Sequence, residues 1–198
     1  MNVVNMVFAF FATSALAAAP VPLEVQGVPL GATVAQLQQA IPLFKCYGAT
    51  CTFDPQDAAQ AQCGRVSVDP AVLDCYARSG SRYAFGPVRG AKYSAFLKDG
   101  RVGELRVTFP VAHADEVVIA MTEKYGKPAD DRQFESQTRL GERYGDRVVA
   151  WNLPDGSITV ERRSVDVDTG SATFIATWYA KATANSKEIA VKSDPAGL

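Results

Sequence analysis

The segment from Ala91 to Phe109, AKYSAFLKDGRVGELRVTF, decides the fold. Two largely apolar runs, Ala91–Leu97 and Val102–Phe109, flank the dipeptide Asp99-Gly100. Asp-Gly between such runs predicts a two-residue hairpin turn, because both residues accept the positive φ that a tight turn requires. We therefore expect two antiparallel strands here, and the offset of Leu105 from strict alternation indicates a β-bulge.

The segment that follows, Ala114 to Tyr125 (ADEVVIAMTEKY), predicts a helix. Asp115 and Glu116 stand at its start, where the helix macrodipole favours negative charge. Gly126 predicts its end as a left-handed cap, with Pro128 just beyond. The residues expected to face the core, at helical spacing, are Val117, Val118, Met121 and Tyr125.

Helix and strand signals also occur on either side of this segment. Before the hairpin, Thr33 and Gln36 form the pattern of a capping box at the start of a short helix that Pro42 ends. After the second helix, three further strands are predicted at 148–153, 157–165 and 172–179, separated by Asp- and Gly-containing turns. Helix then strands, twice, indicates an α+β fold. We expect two helices packed on one face of an antiparallel sheet, either as one sheet or as two tandem helix-then-strands units.

The N-terminus has the pattern of an export signal. The apolar run Val3–Ala12 leads to small residues, with Ala15 and Ala17 in an A-x-A cleavage pattern, although no Lys or Arg precedes the run. The run is shorter than the roughly 20 apolar residues that span a bilayer, so no integral membrane span is expected after cleavage. We expect a signal peptide at 1–17, one α+β domain at 18–180, a flexible polar tail at 181–198, and a periplasmic or secreted location.

Four cysteines follow within one stretch: Cys46, Cys51, Cys63 and Cys75. They allow three complete pairings, of which we favour Cys46 with Cys51 and Cys63 with Cys75, because these partners are nearest in sequence. The alternative of a zinc site is disfavoured by the long spacings and by an oxidising compartment. The density of Gly and Asp-Pro in residues 44–81 predicts a long irregular loop that the bridges hold.

The overall composition is that of an ordinary globular domain. Hydrophobic residues make up 47% and charged residues 21% of the chain, and the formal net charge is -1. Such a balance gives no field that would attract nucleic acid. We expect no nucleic-acid partner, no cofactor and no metal site; the sequence leaves the oligomeric state open.

The start of the first helix resembles a known family. Val28 to Leu37, VPLGATVAQL, is similar to the G-x-T-x-x-Q-[VL] helix entry of small outer-membrane assembly lipoproteins of the SmpA/OmlA type. That family shares a compact α+β build with the tandem β-lactamase-inhibitor proteins. The resemblance implies an envelope protein of that build, although this chain has no Cys at the predicted cleavage point to carry a lipid.

A second resemblance lies at the end of the cysteine-rich segment. Ser79-Gly80-Ser81-Arg82-Tyr83 matches the Ser-Gly-x-x-Tyr motif of periplasmic lysozyme inhibitors. In that family the motif enters the lysozyme cleft and bonds the catalytic carboxylates, which implies partner contacts from Ser79, Gly80 and Tyr83. Hydroxyl groups suit such contacts, because they bond a carboxyl group without burying a charge.

Two patterns suggest catalysis or metal binding. Asp168-Thr169-Gly170-Ser171 resembles the active-site loop of aspartic proteases, but it follows a charged segment and too little chain remains for a protease lobe. Asp166 and Asp168 lack the further ligands of a calcium loop. His113 is the single histidine and no nucleophile motif accompanies it.

Taken together, these patterns predict a non-enzymatic, disulfide-stabilised binding protein that acts on another envelope or secreted protein in an inhibitor-like way. The braced loop from Cys46 to Tyr83 is the expected contact surface, because constrained loops on a rigid scaffold commonly carry recognition. An envelope-assembly accessory protein is the first alternative. A hydrolase that depends on His113 or Asp168 is the second.

Overall fold

The Asp99-Gly100 hairpin is present and lies at the centre of the fold. The computed structural model describes residues 21–42, 44–54, 84–138 and 140–184. Asp99 and Gly100 have φ values of 52° and 72°, as a two-residue turn of this kind requires. The pairing shifts register opposite Phe96 and leaves Gly103 without a partner in the first strand. The predicted bulge is therefore confirmed, two residues before Leu105.

The described residues form a two-stranded hairpin and an eight-stranded antiparallel sheet. The strands are β1 (Glu24–Val25), β2 (Val28–Pro29), β3 (Lys45–Tyr47), β4 (Thr50–Phe53), β5 (Lys92–Lys98), β6 (Arg101–Pro110), β7 (Asp130–Gln137), β8 (Arg143–Leu153), β9 (Gly156–Asp166) and β10 (Thr169–Ala176). The order in the large sheet is β3-β4-β5-β6-β10-β9-β8-β7. An α+β fold with an antiparallel sheet is thus confirmed.

This strand order answers whether the two halves form one sheet or two. Strands β3 to β6 make one four-stranded meander, and β7 to β10 make a second. The last strands of the two meanders, β6 and β10, pair antiparallel from Pro110 opposite Thr169 to Glu104 opposite Ile175. Each meander follows a helix, so two similar units join into one continuous sheet.

The helices are more numerous than expected. α1 is Val34–Ala40, with the predicted capping box between Thr33 and Gln36. A 3-10 turn at Val111–His113 leads into α2, Ala114–Tyr125, which has the predicted bounds. Residues 177–184 form a further helix, α3. The expected count of two helices is therefore wrong, and the predicted strand at 172–179 ends at Ala176.

The residue after α2, Gly126, also differs from the prediction of a left-handed cap. Its φ is 83°, but its ψ of -167° is extended rather than left-handed helical.

Two regions contain strands that the sequence analysis did not predict. Residues 45–53 form the β3–β4 hairpin instead of the start of an irregular loop, because Thr50, Cys51, Thr52 and Phe53 alternate between the two sides of the sheet. Residues 130–137 form β7, a strand that the sequence patterns did not predict. The predicted signal peptide at 1–17, most of the cysteine-rich loop and residues 185–198 of the predicted tail lie outside the described residues.

The core lies against one side of the sheet. Its largest fully buried side chains include Trp151, Tyr93 and Phe174. The α2 residues Val117, Val118 and Met121 are buried as predicted, and Tyr125 packs against the core while partly exposed. The Trp151 indole N–H donates to the carbonyl of Gly126 at 2.8 Å, which ties the end of α2 to β8.

Candidate partner-binding surface

The structure places one of the two predicted disulfides. Cys46 and Cys51 face each other across β3 and β4 and are bonded, with an S–S distance of 2.03 Å. The favoured pairing of these two cysteines is confirmed. Cys63 and Cys75 lie outside the described residues, as do Ser79, Gly80 and Tyr83 of the lysozyme-inhibitor-like motif.

The disulfide closes a tight turn at the edge of the sheet. Tyr47 pairs with Thr50, so Gly48 and Ala49 make a two-residue turn in which Gly48 has a φ of 59°. The carbonyl of Ala49 accepts a hydrogen bond of 2.7 Å from the Leu97 N–H in β5. A covalent bridge and a backbone bond to the next strand therefore hold this turn in place. We call residues 46–51 the braced turn.

The braced turn presents an aromatic side chain to solvent. Tyr47 is 76% exposed, although Cys51 beside it is fully buried. Residues paired directly across an antiparallel ladder point to the same side of the sheet. Tyr47 pairs with Thr50, and Thr50 pairs with Phe96, so these side chains share the side of the sheet opposite the disulfide.

The same side continues into β5 and β6 with an aromatic ring and an arginine. The Arg106 guanidinium carbon lies 5.3 Å from the centroid of the Phe96 ring. One of its terminal nitrogens lies 2.8 Å from the Glu104 carboxylate. The guanidinium thus lies over the ring and is paired with Glu104, with about two fifths of the Arg106 side chain exposed.

The first turn of α3 adds two more aromatic residues. The Tyr179 ring lies against Gly103, where a Cβ atom would overlap the ring. Burial raises the pKa of the Tyr179 phenol, and the negative charge of Glu104 raises it further. Trp178 packs edge-on against Tyr179 with ring centroids 5.8 Å apart and is 40% exposed.

Trp178 also lines a groove between α3 and the β1–β2 hairpin. The groove has a volume of about 550 Å³, and its apolar wall includes Pro22, Pro29 and Leu30. Lys181 and Asp155 lie at the same groove and supply one charge of each sign. The groove therefore offers an apolar wall with two charged groups.

Together these side chains form a surface of the composition that partner-binding sites favour. We name Tyr47, Phe96, Arg106 and Tyr179 the aromatic stripe. Tyrosine, tryptophan and arginine dominate the energetic centres of protein interfaces, because they bury a large area and still make polar contacts. No sequence pattern singled out Tyr47, Phe96 or Arg106, whereas Tyr179 was expected in the predicted strand at 172–179. A tyrosine directly between a cysteine and a glycine was the available signal for Tyr47.

A charged cluster lies at the other end of the sheet, beside the start of α2. Arg147 forms a two-pronged contact with the Asp131 carboxylate at 2.9 and 2.8 Å, and a further bond to Asp115 at 3.2 Å. The hydrogen bonds from Arg147 lower the pKa of Asp131. Arg162 lies 3.6 Å from Asp115. The ion pairs of this cluster therefore link β7, β8, β9 and α2.

The residues considered for catalysis belong to two adjoining turns, each of which has a structural role. His113 ends the 3-10 turn, and its Nδ1 lies 2.9 Å from the Glu116 carboxylate. Asp168 lies in the turn between β9 and β10, where its N–H donates to the Asp166 carboxylate and its carbonyl accepts from the Val111 N–H. Both Asp166 and Asp168 are exposed. The Asp-Thr-Gly-Ser segment therefore forms the hairpin turn and the start of β10.

Within the described residues, no three His, Cys, Asp or Glu side chains are grouped so that they could hold a metal ion. None of the helices described is long and apolar enough to cross a membrane. Comparisons of the chain with protein-family models, with curated proteins and with solved structures found no match.

Proposed function

We propose that this chain is an exported binding protein that acts on another envelope or secreted protein in an inhibitor-like way, with the braced turn as its anchor. The observation that carries this proposal is the Tyr47 side chain, 76% exposed at the tip of a covalently closed turn. An aromatic ring in that position keeps apolar surface in contact with water, which is unfavourable in free energy. Contact with a partner would remove that surface from water.

The rigidity of the turn supports the same function. Binding loses free energy when a loop or a side chain must be ordered. The Cys46–Cys51 bridge and the hydrogen bond from Leu97 to Ala49 have already ordered this backbone. A tyrosine has only two side-chain torsions to fix, so an anchor of this type binds at low entropic cost.

The aromatic stripe extends the proposed contact beyond the turn. Phe96 and Arg106 lie on the Tyr47 side of the sheet, and the guanidinium is held over the ring by Glu104. The stripe therefore offers aromatic rings together with the Arg106–Glu104 ion pair. A partner with an apolar patch and a nearby acidic group would match this surface.

The proposed location is the periplasm or the extracellular space. A disulfide within a short hairpin supports this location, because such bonds persist in oxidising compartments. Export would remove residues 1–17, which N-terminal sequencing of the protein recovered from its host tests directly. A mature chain beginning at Ala18 is expected, whereas a chain that keeps Met1 inside the cytoplasm contradicts this location.

A capture experiment with matched variants tests the binding function. The mature, oxidised protein is immobilised and exposed to periplasmic and secreted proteins from its host, and the bound proteins are identified by mass spectrometry. We expect a protein that binds the wild type and is lost with Tyr47→Ser. Leu140→Ser is the control, because Leu140 is 90% exposed on the β7–β8 connection and far from the turn in the strand order.

The affinity of the captured protein is then measured with purified components. Loss of an aromatic anchor is expected to weaken binding by at least about tenfold, the range of interface hot spots. Capture of the same proteins with equal affinity by wild type and Tyr47→Ser contradicts the braced turn as the anchor. Parallel variants Ser79→Ala and Tyr83→Phe test the second proposed contact, from the Ser-Gly-x-x-Tyr motif.

A further inference from the structure

The strand β7 ends the large sheet on the side opposite the braced turn. In the described part of the chain it has one neighbour, β8, and all eight of its residues pair with that strand. Phe134 lies at its middle and is 48% exposed. A strand of this length at the end of a sheet is a template for another strand, unless its side chains prevent the approach.

The backbone of β7 indicates which residues face this edge. The Thr138 N–H donates to the carbonyl of Glu142 at 2.9 Å, directly after the last pair, Gln137 with Arg143. In an antiparallel ladder the bonding direction alternates from one residue to the next. The even-numbered residues of β7 therefore bond to β8, and the N–H and C=O groups of Asp131, Gln133 and Glu135 face the edge.

The charges of β7, which would repel a second strand, are neutralised within the chain. Every acidic residue of β7 has an arginine partner: Asp130 with Arg132 at 2.7 Å, Asp131 with Arg147 at 2.8 Å, and Glu135 with Arg143 at 3.6 Å. Arg132 is the one basic residue of the strand and takes part in the first pair. Three carboxylates and one arginine give β7 itself a net charge of -2, and Arg143 and Arg147 of the neighbouring β8 balance it, so the usual electrostatic protection of an edge is weakened here.

The sequence of β7 selects one register for pairing with itself. The backbone groups that face the edge belong to odd-numbered residues, so an antiparallel pairing of two copies must set odd-numbered residues opposite odd-numbered residues. Two registers of this kind pair seven residues of each strand. One of them sets Asp131 opposite Glu135, so that two carboxylates meet. The other sets Phe134 opposite Phe134 of the second copy, Gln133 opposite Glu135 and Arg132 opposite Ser136, so that no like charges face each other.

We propose that β7 is a dimerisation edge, at which β7 of a second copy of this chain pairs antiparallel with Phe134 at the two-fold axis. The two exposed rings then cover each other, and the odd-numbered residues exchange backbone hydrogen bonds. Arg132 of each copy lies diagonally beside the ring pair, within reach of a cation–π contact. The two eight-stranded sheets become one continuous sheet.

Light scattering after size exclusion tests the dimer directly. The mature, oxidised protein is expected to shift from monomer to dimer as its concentration rises through the micromolar range. Phe134→Glu places two carboxylates at the axis and is expected to leave a monomer at every concentration used. Leu140→Glu is the matched control and is expected to dimerise like the wild type, because Leu140 lies beyond the paired strand. A monomeric wild type contradicts the proposal, and so does dimerisation unaffected by Phe134→Glu.

Cysteine cross-linking tests the register. Residues at the axis form a non-hydrogen-bonded pair with Cα atoms about 4.5 Å apart, a separation that a disulfide can bridge. Phe134→Cys is therefore expected to give a covalent dimer on mild oxidation. Arg132→Cys is expected to give none, because the two substituted positions lie about 13 Å apart along the strands in this register. Equal cross-linking of both variants, or of neither, overturns the register.

Discussion

The ring of Tyr179 lies directly on the backbone of Gly103, the residue of β6 that has no partner in β5. A bulge and a missing side chain therefore make the site where the first turn of α3 rests on the sheet. The next residue, Glu104, pairs with Arg106 over the Phe96 ring. The packing of the first turn of α3 beside the aromatic stripe thus depends on one glycine.

Gly103→Ala is expected to destabilise the protein by about 1–3 kcal/mol, the usual cost of forcing a methyl group into a filled site. The new Cβ would overlap the Tyr179 ring and push α3 away from β6. Gly145→Ala in β8 is the matched control, because a Cβ there meets no atom within 4 Å. Urea unfolding of both variants gives the comparison. Equal stability of the two variants would show that Tyr179 does not rest on Gly103.

Replacing both Cys46 and Cys51 by Ala is expected to lower stability by about 2 kcal/mol, since the bridge closes a loop of only a few residues. Alanine is preferred to serine because Cys51 is fully buried and a hydroxyl group there would lack water. Urea midpoints are measured with and without reductant. If the wild type and the double variant are equally stable under oxidising conditions, the bridge does not contribute to the free energy of unfolding.

The double variant also reports on the other two cysteines. Any remaining effect of reductant on its stability must come from Cys63 and Cys75, whose pairing was predicted from the sequence. A reductant effect in the double variant is the outcome expected for a second disulfide. Complete insensitivity would indicate that these two thiols are unpaired.

The stability of the protein is expected to fall at alkaline pH because of Tyr93. Burial raises the pKa of its phenol from 10.0 to about 12, although the hydrogen bond from Gln26 opposes the shift. The unfolded phenol ionises first, so the contribution is fully present below pH 10 and is lost as the pH rises toward 12. A shift of this size corresponds to about 3 kcal/mol at most.

Tyr93→Phe is expected to flatten this alkaline decline, and urea midpoints measured at a series of rising pH values would show it. Some decline should remain, because the pKa values of Tyr144 and Tyr179 are also raised in the folded protein. Tyr179→Phe provides a comparison in which the Tyr93 contribution is kept. A decline in Tyr93→Phe as steep as in the wild type would contradict the assignment.

Thr33→Ala is expected to cost about 0.5–2 kcal/mol through loss of the capping box of α1. The Thr33 hydroxyl accepts from the Gln36 N–H at 3.3 Å, and the Gln36 side chain accepts from the Thr33 N–H at 2.9 Å. Thr33→Ser keeps the hydroxyl and is expected to retain most of the stability. Amide hydrogen exchange in α1 would locate the effect. Identical exchange in both variants would rule out a capping role.

The sequence predicted the elements whose signals are local. The Asp99-Gly100 turn, the capping box at Thr33 and the bounds of α2 each depend on residues within a few positions of one another. Such signals act in the unfolded chain as well as in the folded protein. The pairing of Cys46 with Cys51, favoured among three possible pairings because these cysteines are near in sequence, likewise joins residues a few positions apart.

The elements that were missed depend on distant partners. The residues of β7 are mostly charged or polar and show no apolar alternation, because a strand at the end of a sheet can be held by backbone bonds to β8 without burying a side. Trp178 and Tyr179 favour a strand by composition, but they begin α3 because the Thr177 N–H bonds to Asp155 and Gly103 leaves room for the ring. The exposed position of Tyr47 likewise depends on the fold of the braced turn.

The pairing of β6 with β10 has a consequence for how the chain folds. In the described residues it is the one strand pairing that joins the two meanders, and every other pair links strands that are consecutive along the chain. Apart from β4 and β5, which the long segment between Phe53 and Lys92 separates, paired consecutive strands close short loops and form quickly, whereas the β6–β10 ladder must wait for both halves. Each half should therefore act as a cooperative folding unit. Two separate fragments divided between Pro110 and Val111 are expected to recognise each other through this ladder and to restore the complete sheet.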